Sequence, residues 1–592
     1  MTVLSKLVRA YERMPDAPKP GFAQQRVGVV IGLEPDGTVA SVTPLKRRVG
    51  KKDVAPLMAV PAPVKRTVDV KPNTFWDKTA YVLGVTAGDG KRTAKEHAAF
   101  VAHHRDLIGE TDDPGLVAFL RFLDRWSPDQ FGTHFQEEMK DENVVFALEE
   151  ERRRAVYLHD RPAALDLIGA GSGTSTEGAL CLATGRYGPV ARLHPAIKGV
   201  WGGQSSGGSI VSFNLDAFES YGHRQGENAP VSQAAAEAYV GALNRFLPRD
   251  SGHRIQIGDA SVVFWAEAPS ELPDRAEAEA LTEAVFREML DEQANEDTAE
   301  AKRVGEALDR IRKGLPILDN APKVSADVKF YVLGLAPNAA RISIRFWLDT
   351  TFGALAENYR RFMEDMAILP PDRQGNPALW QYLRETAVLG KTENVPPNLA
   401  GEWTRAILAG TAYPLTLLNT VLMRIRADGQ INARRAAILK ALVIRNFGII
   451  KEAPVGLDPN NPRPGYLLGR LFAAYEQAQS AALGKNVNAT IKDKYYGSAS
   501  AQPRKVFAIL EAGSANHLSK LGKIRPGQRV NLEKTIGEIM DQMKPGATPD
   551  DDPFPATLPA AEQALFGLGY YHQRNAFFVR KDASDPETAD HD

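Results

Sequence analysis

The spacing of apolar residues changes along this chain, and that change limits the folds open to it. Near residue 340, Ile342, Ile344 and Phe346 alternate with Arg341, Ser343 and Arg345, the two-residue period of a half-buried strand. After about residue 350 the period lengthens: Leu415, Leu418, Leu422 and Ile425 recur at helical spacing. Asp428-Gly429 then makes a turn, and Asn432 stands where it would cap a helix over 433–446. The expected fold class is α+β, with a mixed α/β N-terminal region containing antiparallel strands followed by a C-terminal helical bundle. Pro370-Pro371, Gly375, Pro377 and Pro396-Pro397 punctuate the change and place the domains at 1–370 and 371–592. A second break, GLDPNNPRPG over Gly456–Gly465, precedes a helix with Leu467, Leu471, Ala474 and Ala478 on one side.

Local signals fill in the first region. Two β-rich runs flank Pro35-Asp36-Gly37 within Val27–Val42, which is hairpin chemistry. The following segment, Lys46–Pro72, carries Lys46, Arg47, Arg48, Lys51, Lys52, Lys65, Arg66 and Lys71, and reads as loop or edge β-structure. Tyr81-Val82-Leu83-Gly84 and Tyr331-Val332-Leu333-Gly334 echo each other as two strand candidates.

The 592 residues give room for several cores, and Cys181 is the sole cysteine, so no internal disulfide or paired-cysteine metal site can form. That suits a reducing compartment, and the expected location is cytoplasmic. MTVLSKLVRAYERM reads as an amphipathic helix rather than a secretory signal. The uncharged stretch Ala406–Met423 approaches membrane-spanning length, but Gly410 and Pro414 interrupt it, so a buried helical segment of a bundle is expected.

The formal net charge of -1 hides opposed segments. Glu267–Glu300 holds twelve acidic residues against Arg275 and Arg287, whereas Tyr466–Pro545 holds twelve Lys and Arg against six Asp and Glu. Val421–Ile450 adds Arg424, Arg426, Arg434, Arg435, Lys440 and Arg445 against Asp428 alone. The end, 582–592, is acidic and expected to be disordered. A near-neutral whole therefore leaves room for a nucleic-acid surface in the last third.

Signs of an enzyme are sparse. The glycine-rich run Gly169–Gly178 lacks a phosphate-binding lysine and reads as a flexible loop. His159-Asp160 matches the start of an HD-type metal site, but such a site needs further ligands; a surface dipeptide is the plainer reading. Cys181 with His194 is a conceivable nucleophile pair, yet Cys181 lies in the apolar run ALCLA, where a small buried hydrophobe is expected. No cofactor or metal is expected. The informative stretch is Leu180–Ser232, where Arg186, Arg192, His194 and Lys198 precede a polar, glycine-rich turn, Trp201–Gly208. Small residues there let a phosphate approach the backbone, while Gln204, Ser205 and Ser206 supply donors and acceptors.

That stretch resembles the large subunit of the type I-C CRISPR Cascade, the crRNA-guided surveillance complex. NTFWDKTAYVLG from Asn73, IGDASVVFWAE from Ile257, FYVLGLAPNAARISIRFW from Phe330 and AYPLTLLNTVLMRIRAD from Ala412 extend the resemblance in matching order. GYLLGRLFAAYEQAQ and NATIKDKYYGSASAQPRKVF carry it almost to the end.

The resemblance implies a non-catalytic subunit that recognises a protospacer-adjacent motif in duplex DNA and helps open the duplex. It also implies that this subunit holds the displaced strand and presents the R-loop to a separate helicase-nuclease. The implied partners are crRNA, target double-stranded DNA, the displaced single strand, the backbone and crRNA-handle-binding subunits, and a small subunit. Residues 1–370 would recognise the motif and contact guide RNA and neighbouring subunits. The last part, about 456–592, would resemble the small subunit, and an internal start at Met423 or Val455 would release it separately.

The motif-binding candidates are Lys71, Asn73 and Lys78, with Trp76 expected in the core. Arg192, His194, Lys198, Gln204, Ser205 and Ser206 are candidates for contact with nucleic acid or a neighbouring subunit, while Phe213, Phe218 and Tyr221 are expected to pack. For the displaced strand the candidates are Lys492, Lys494, Tyr495 and Tyr496, a basic–aromatic cluster, with Arg434 and Arg445 on one helical stripe. Two other readings compete, a metal-dependent HD-type nuclease and a pure assembly scaffold.

Overall fold

The structure is a computed structural model that describes residues 2–15, 17, 21–49, 52–64, 66, 70–171, 178–290, 326–373, 377–484, 489–543 and 553–578. Most of the glycine-rich run Gly169–Gly178, part of the acidic segment after Glu267 and the end over 582–592 lie outside the described residues. The chain divides into two compact units, Met1–Gly199 with Gln204–Arg245, and Val200–Gly203 with Phe246–Asp592.

The first unit opens with the expected amphipathic helix, Val3–Glu12, capped by the Thr2 side chain. Strand β1 (Phe22–Arg26) precedes β2 (Val29–Leu33) and β3 (Val39–Pro44). The β2–β3 hairpin turns at Pro35-Asp36-Gly37, where the Asp36 carboxylate accepts the Thr38 amide at 3.0 Å and the Thr38 hydroxyl at 2.7 Å. The basic segment forms short strands as expected: β4 (Arg47–Val49) pairs with β5 (Lys52–Val54), and β6 (Leu57–Pro61) pairs with β1.

Strands β7 (Trp76–Lys78) and β8 (Asn143–Leu148) complete a four-stranded sheet in the order β3-β2-β8-β7. Only β2 and β8 run parallel, which the long helix-bearing connection between them permits. Both faces of β2 are buried: Val29, Ile31 and Leu33 join Phe119, Phe122 and Phe146, while Val30 joins Trp76 and Val145. That explains its unbroken apolar sequence.

Tyr81-Val82-Leu83-Gly84 is not a strand. Thr79–Val82 forms one helical turn, with the Leu83 amide on the Thr79 carbonyl at 2.8 Å and Gly84 at positive φ. The segment lies beyond the short edge strand β7, where no partner strand continues. Its echo, Tyr331–Gly334, is flanked by strands on both sides and extends fully, so tertiary context sets the outcome.

A second sheet, β11 (Arg254–Ile257), β12 (Ala260–Glu267), β13 (Lys329–Asn338) and β14 (Arg341–Thr351), runs antiparallel in chain order. It follows the small hairpin β9 (Gly178–Leu180) and β10 (Tyr187–Pro189) of the first unit. Phe264 and Phe330 pack with Phe286 and Phe352 from the helices Arg275–Leu290 and Phe352–Met366. Helices dominate beyond this point. Pro397–Ala409 and Leu415–Asp428 are separate helices because Gly410 turns left-handed and Pro414 starts the second. Asn432 caps Ala433–Phe447 by accepting the Arg435 amide at 2.9 Å. Sheet and helices of this unit share one apolar core. Among the described residues, no helix is long and apolar enough to cross a membrane.

Helix Pro464–Leu483 crosses helix Ala560–Ala576 at close range. A Cβ on Gly465 would lie 2.2 Å from the Glu562 carbonyl oxygen, and one on Gly469 2.1 Å from that of Phe566. These neighbours are backbone and cannot move aside singly. Gly469→Ala is expected to lower stability by about 1–3 kcal/mol, read as a fall in the urea midpoint of the full chain. An unchanged midpoint would contradict this close packing.

Candidate nucleic-acid interface

The three N-terminal candidates share one loop, but they face different ways. Lys71 and Lys78 are exposed, whereas Asn73 is buried. The Asn73 side-chain oxygen accepts the Val64 amide at 3.0 Å, and its own amide donates to Asp77 at 2.8 Å. Asn73 thus serves the loop from inside. Trp76 is in the core as expected, its indole N–H on the Pro61 carbonyl at 2.8 Å.

The acid beneath the loop is Asp77, only 1% exposed. Burial raises its pKa, against the opposing effect of the Arg66 guanidinium that pairs with it. Arg66 also donates to the Lys71 carbonyl at 2.6 Å and lies 4.0 Å over the Tyr81 ring. At the centre of the loop Phe75 has φ of +63°, an uncommon conformation for a bulky side chain. Its amide donates to His104 Nε2 at 2.8 Å, while Nδ1 lies 2.8 Å from the Phe100 carbonyl and must carry the proton. Complete burial holds the His104 pKa down at about 3.

The central motif divides in a similar way. Arg192, Lys198, Gln204, Ser205 and Ser206 are exposed. The Lys198 amide donates to the Asn244 side chain at 2.7 Å, and the Ile197 and Gly208 backbones exchange two hydrogen bonds of 2.9 Å, which closes the loop that carries them. Arg192 is fixed by its carbonyl, which accepts the Gly226 amide at 3.2 Å. His194 is buried with Nδ1 2.7 Å from the Tyr239 hydroxyl, so it braces the motif from within.

Tyr221 does not pack. It is 97% exposed at the tip of a tight turn in which Tyr221 and Gly222 both have positive φ. The turn closes through the His223 amide on the Ser220 carbonyl at 3.0 Å, and Asn228 braces it by accepting from Ser220 and donating to His223. Phe213 and Phe218 are half-buried. Tyr187 is a second exposed aromatic, at 77%. Tyr221 precedes a glycine, the usual mark of a turn, whereas Tyr187 is exposed from strand β10.

In the helical third the candidates separate. Lys494 is exposed and Lys492 and Tyr495 half-buried, on helix Ile491–Ala499. Tyr496 is buried with ring centroids of Phe472, Phe566 and Tyr570 at 5.4–5.8 Å, which leaves no face for a base. Arg434 and Arg445 do share a stripe, but carboxylates cover it: Asp372 lies 3.0 Å from Arg434 and Asp365 2.5 Å from Arg445. The exposed cations here also include Lys505, Lys520, Lys523 and Arg525, four positions missed because a helix's exposed face depends on its distant neighbours.

His159 is buried rather than on the surface, with Nε2 3.1 Å from the Ala59 carbonyl and its ring stacked on Tyr157. Asp160 folds back onto the Tyr157 amide at 3.0 Å. Among the described residues, no three His, Cys, Asp or Glu side chains are grouped to hold a metal. Cys181 is buried, as expected. Burial pushes its thiol pKa up, but hydrogen bonds from Ser232 and Thr184 outweigh this and hold it at about 7. A glycine-lined cavity beside Gly84, Gly90 and His97 includes Lys140, whose ammonium is already paired with Glu137 at 2.7 Å.

His104 sets a pH dependence. The unfolded imidazole takes up a proton near pH 6.5, whereas the folded one does so only at about pH 3. In that window the unfolded chain binds more protons, so stability falls as the pH falls. The urea midpoint should drop between pH 6.5 and pH 4, and drop less in His104→Gln. Equal pH slopes for the two chains would contradict this protonation state.

The chain matches the family described as CRISPR-associated protein (Cas_Csd1) over residues 7–578. Among curated proteins no match was found.

Proposed function

The chain belongs to the Cas_Csd1 family, the non-catalytic large subunit of type I-C Cascade, and from that premise we propose that it recognises a short motif in duplex DNA and stabilises the opened strands. The family match over residues 7–578 is the observation that carries this reading. In such a complex, pairing with guide RNA reads most of the target, which leaves the protein a short duplex motif and the backbone. A protein with that task needs fixed cations rather than a hydrolytic centre.

In this reading Lys71 and Lys78 neutralise phosphates beside the motif, and Asn73 shapes their loop. Arg192, Lys198 and Gln204–Ser206 meet guide RNA or a neighbouring backbone or handle-binding subunit, with His194 as the internal brace. Lys492 and Lys494, with the part-exposed Tyr495, track the displaced strand; Tyr496 packs the helix that presents them, while Arg434 and Arg445 tie helix Ala433–Phe447 to Asp372 and Asp365. The complex acts in the cytoplasm and hands its R-loop to the helicase-nuclease. The helices after Gly456 correspond to a small subunit, which tagged expression would reveal as a second, shorter band; a full-length band alone would contradict a separate product.

Phosphate contacts make a measurable claim. Each neutralised phosphate on duplex DNA contributes about -0.9 to the slope of log affinity against log salt. In the assembled complex, Lys71→Ala with Lys78→Ala should weaken binding to motif-bearing duplex and flatten that slope by about 1.8. Lys492→Ala with Lys494→Ala should instead shorten the lifetime of the open R-loop, followed by permanganate reactivity of the displaced strand. Parental behaviour in both variants would contradict these residue roles.

A further inference from the structure

We propose that Arg66, Asp77 and His104 are positioning residues that fix the relative placement of Lys71 and Lys78 before DNA arrives; this rests on the reading of that loop as the motif-binding element. Both lysines are tied by their own backbone to one ion pair. Arg66 donates to the carbonyl of Lys71 at 2.6 Å, and Asp77 accepts the amide of Lys78 at 2.8 Å. The guanidinium and the carboxylate then bind each other, so the pair spans the loop and links the two lysine positions. Asp77 also accepts the Asn73 amide at 2.8 Å, which holds the middle of the loop to the same anchor.

His104 supplies the second anchor. Phe75 adopts its left-handed conformation midway between the lysines, and the imidazole accepts its amide at 2.8 Å. A non-glycine residue persists in that region only where its surroundings hold it there. Phe75 and His104 are both fully buried, beside Phe100 and Phe119. A loop that served only to connect two strands could leave these amides to water. Here a buried carboxylate and a buried imidazole are committed to them instead.

The consequence is preorganisation: ordering of the lysines is completed on folding and is not charged against binding. Removing an anchor should therefore weaken recognition of the motif while sparing targets that do not need it read. The test uses the assembled complex carrying Arg66→Ala, Arg66→Lys, His104→Ala or His104→Gln. Affinity is measured for motif-bearing duplex, motif-free duplex and a target already unpaired next to the motif.

Arg66→Ala and His104→Ala should each cut the preference for motif-bearing over motif-free duplex by about tenfold. Arg66→Lys keeps the charge but not the two-sided fork, and should lose the preference too. His104→Gln keeps an acceptor for Phe75 and should retain most of it. Binding to the pre-opened target should stay at the parental level in all four, which a general loss of folding would not allow. Amide exchange at Asn73 and Phe75 in the free full-length chain should speed up in Arg66→Ala and His104→Ala, respectively.

Parental motif preference in Arg66→Ala, Arg66→Lys and His104→Ala, with preference lost in Lys71→Ala/Lys78→Ala, would overturn the positioning role and leave the loop as the motif reader. Parental preference in the lysine variant as well would overturn both. Equal losses on duplex and pre-opened targets would also overturn it, since the anchors would then serve stability alone. If Arg66→Ala prevents assembly, Arg66→Lys and the two His104 variants decide the same question.

Discussion

A charged side chain that leaves water must find a partner, and that requirement sorts the cations of this protein into two groups. Arg161 takes Asp113 and Glu151, Arg435 takes Asp428 and Glu385, and Arg434 and Arg445 take Asp372 and Asp365. Lys440, buried as well, donates to the carbonyls of Glu364 and Asp365 at the end of a helix. Losing one member of such a pair strands the other, so these cations are committed to the fold. Lys71, Lys78, Arg192, Lys198 and Lys494 are the candidates that remain on the surface. A formal charge of -1 is therefore no guide to what the surface can hold.

Features coded within a few residues were legible in the sequence. The Asp36 turn, the Asn432 cap and the break between Gly410 and Pro414 all depend on neighbouring side chains and backbone geometry. Features set by distant partners were not. Arg434 and Arg445 do share a helical stripe, as their spacing implies, yet Asp372 and Asp365 come from a different part of the chain and cover it. Tyr496 sits beside Lys494 in the sequence, while its environment comes from Phe472, Phe566 and Tyr570. The same reason hides His104, whose role is visible only when Phe75 is seen to need an acceptor. Tyr221 failed in the other direction, because an aromatic beside glycine looked like packing and proved to be a turn tip.

Order is the common theme of the candidate surfaces. The Lys71–Lys78 loop is anchored by Asp77 and His104, the Lys198 loop by Asn244, and the Tyr221 turn by Asn228. None of these anchors needs to touch a ligand. Each reduces the freedom that exposed residues would otherwise lose on binding, which is where a protein that performs no bond chemistry can gain affinity and selectivity. Within a Cascade large subunit this fits a division of work in which guide RNA supplies the address and the protein supplies rigidly placed charge.

The central claim is that this subunit makes the complex capture and open DNA that carries the motif. It is tested most directly by assembling the complex with and without this chain and measuring binding and strand opening on motif-bearing and motif-free duplexes. The account predicts that omission abolishes the difference between the two duplexes and leaves motif-bearing DNA closed. Undiminished preference and opening in the complex that lacks the chain would contradict it.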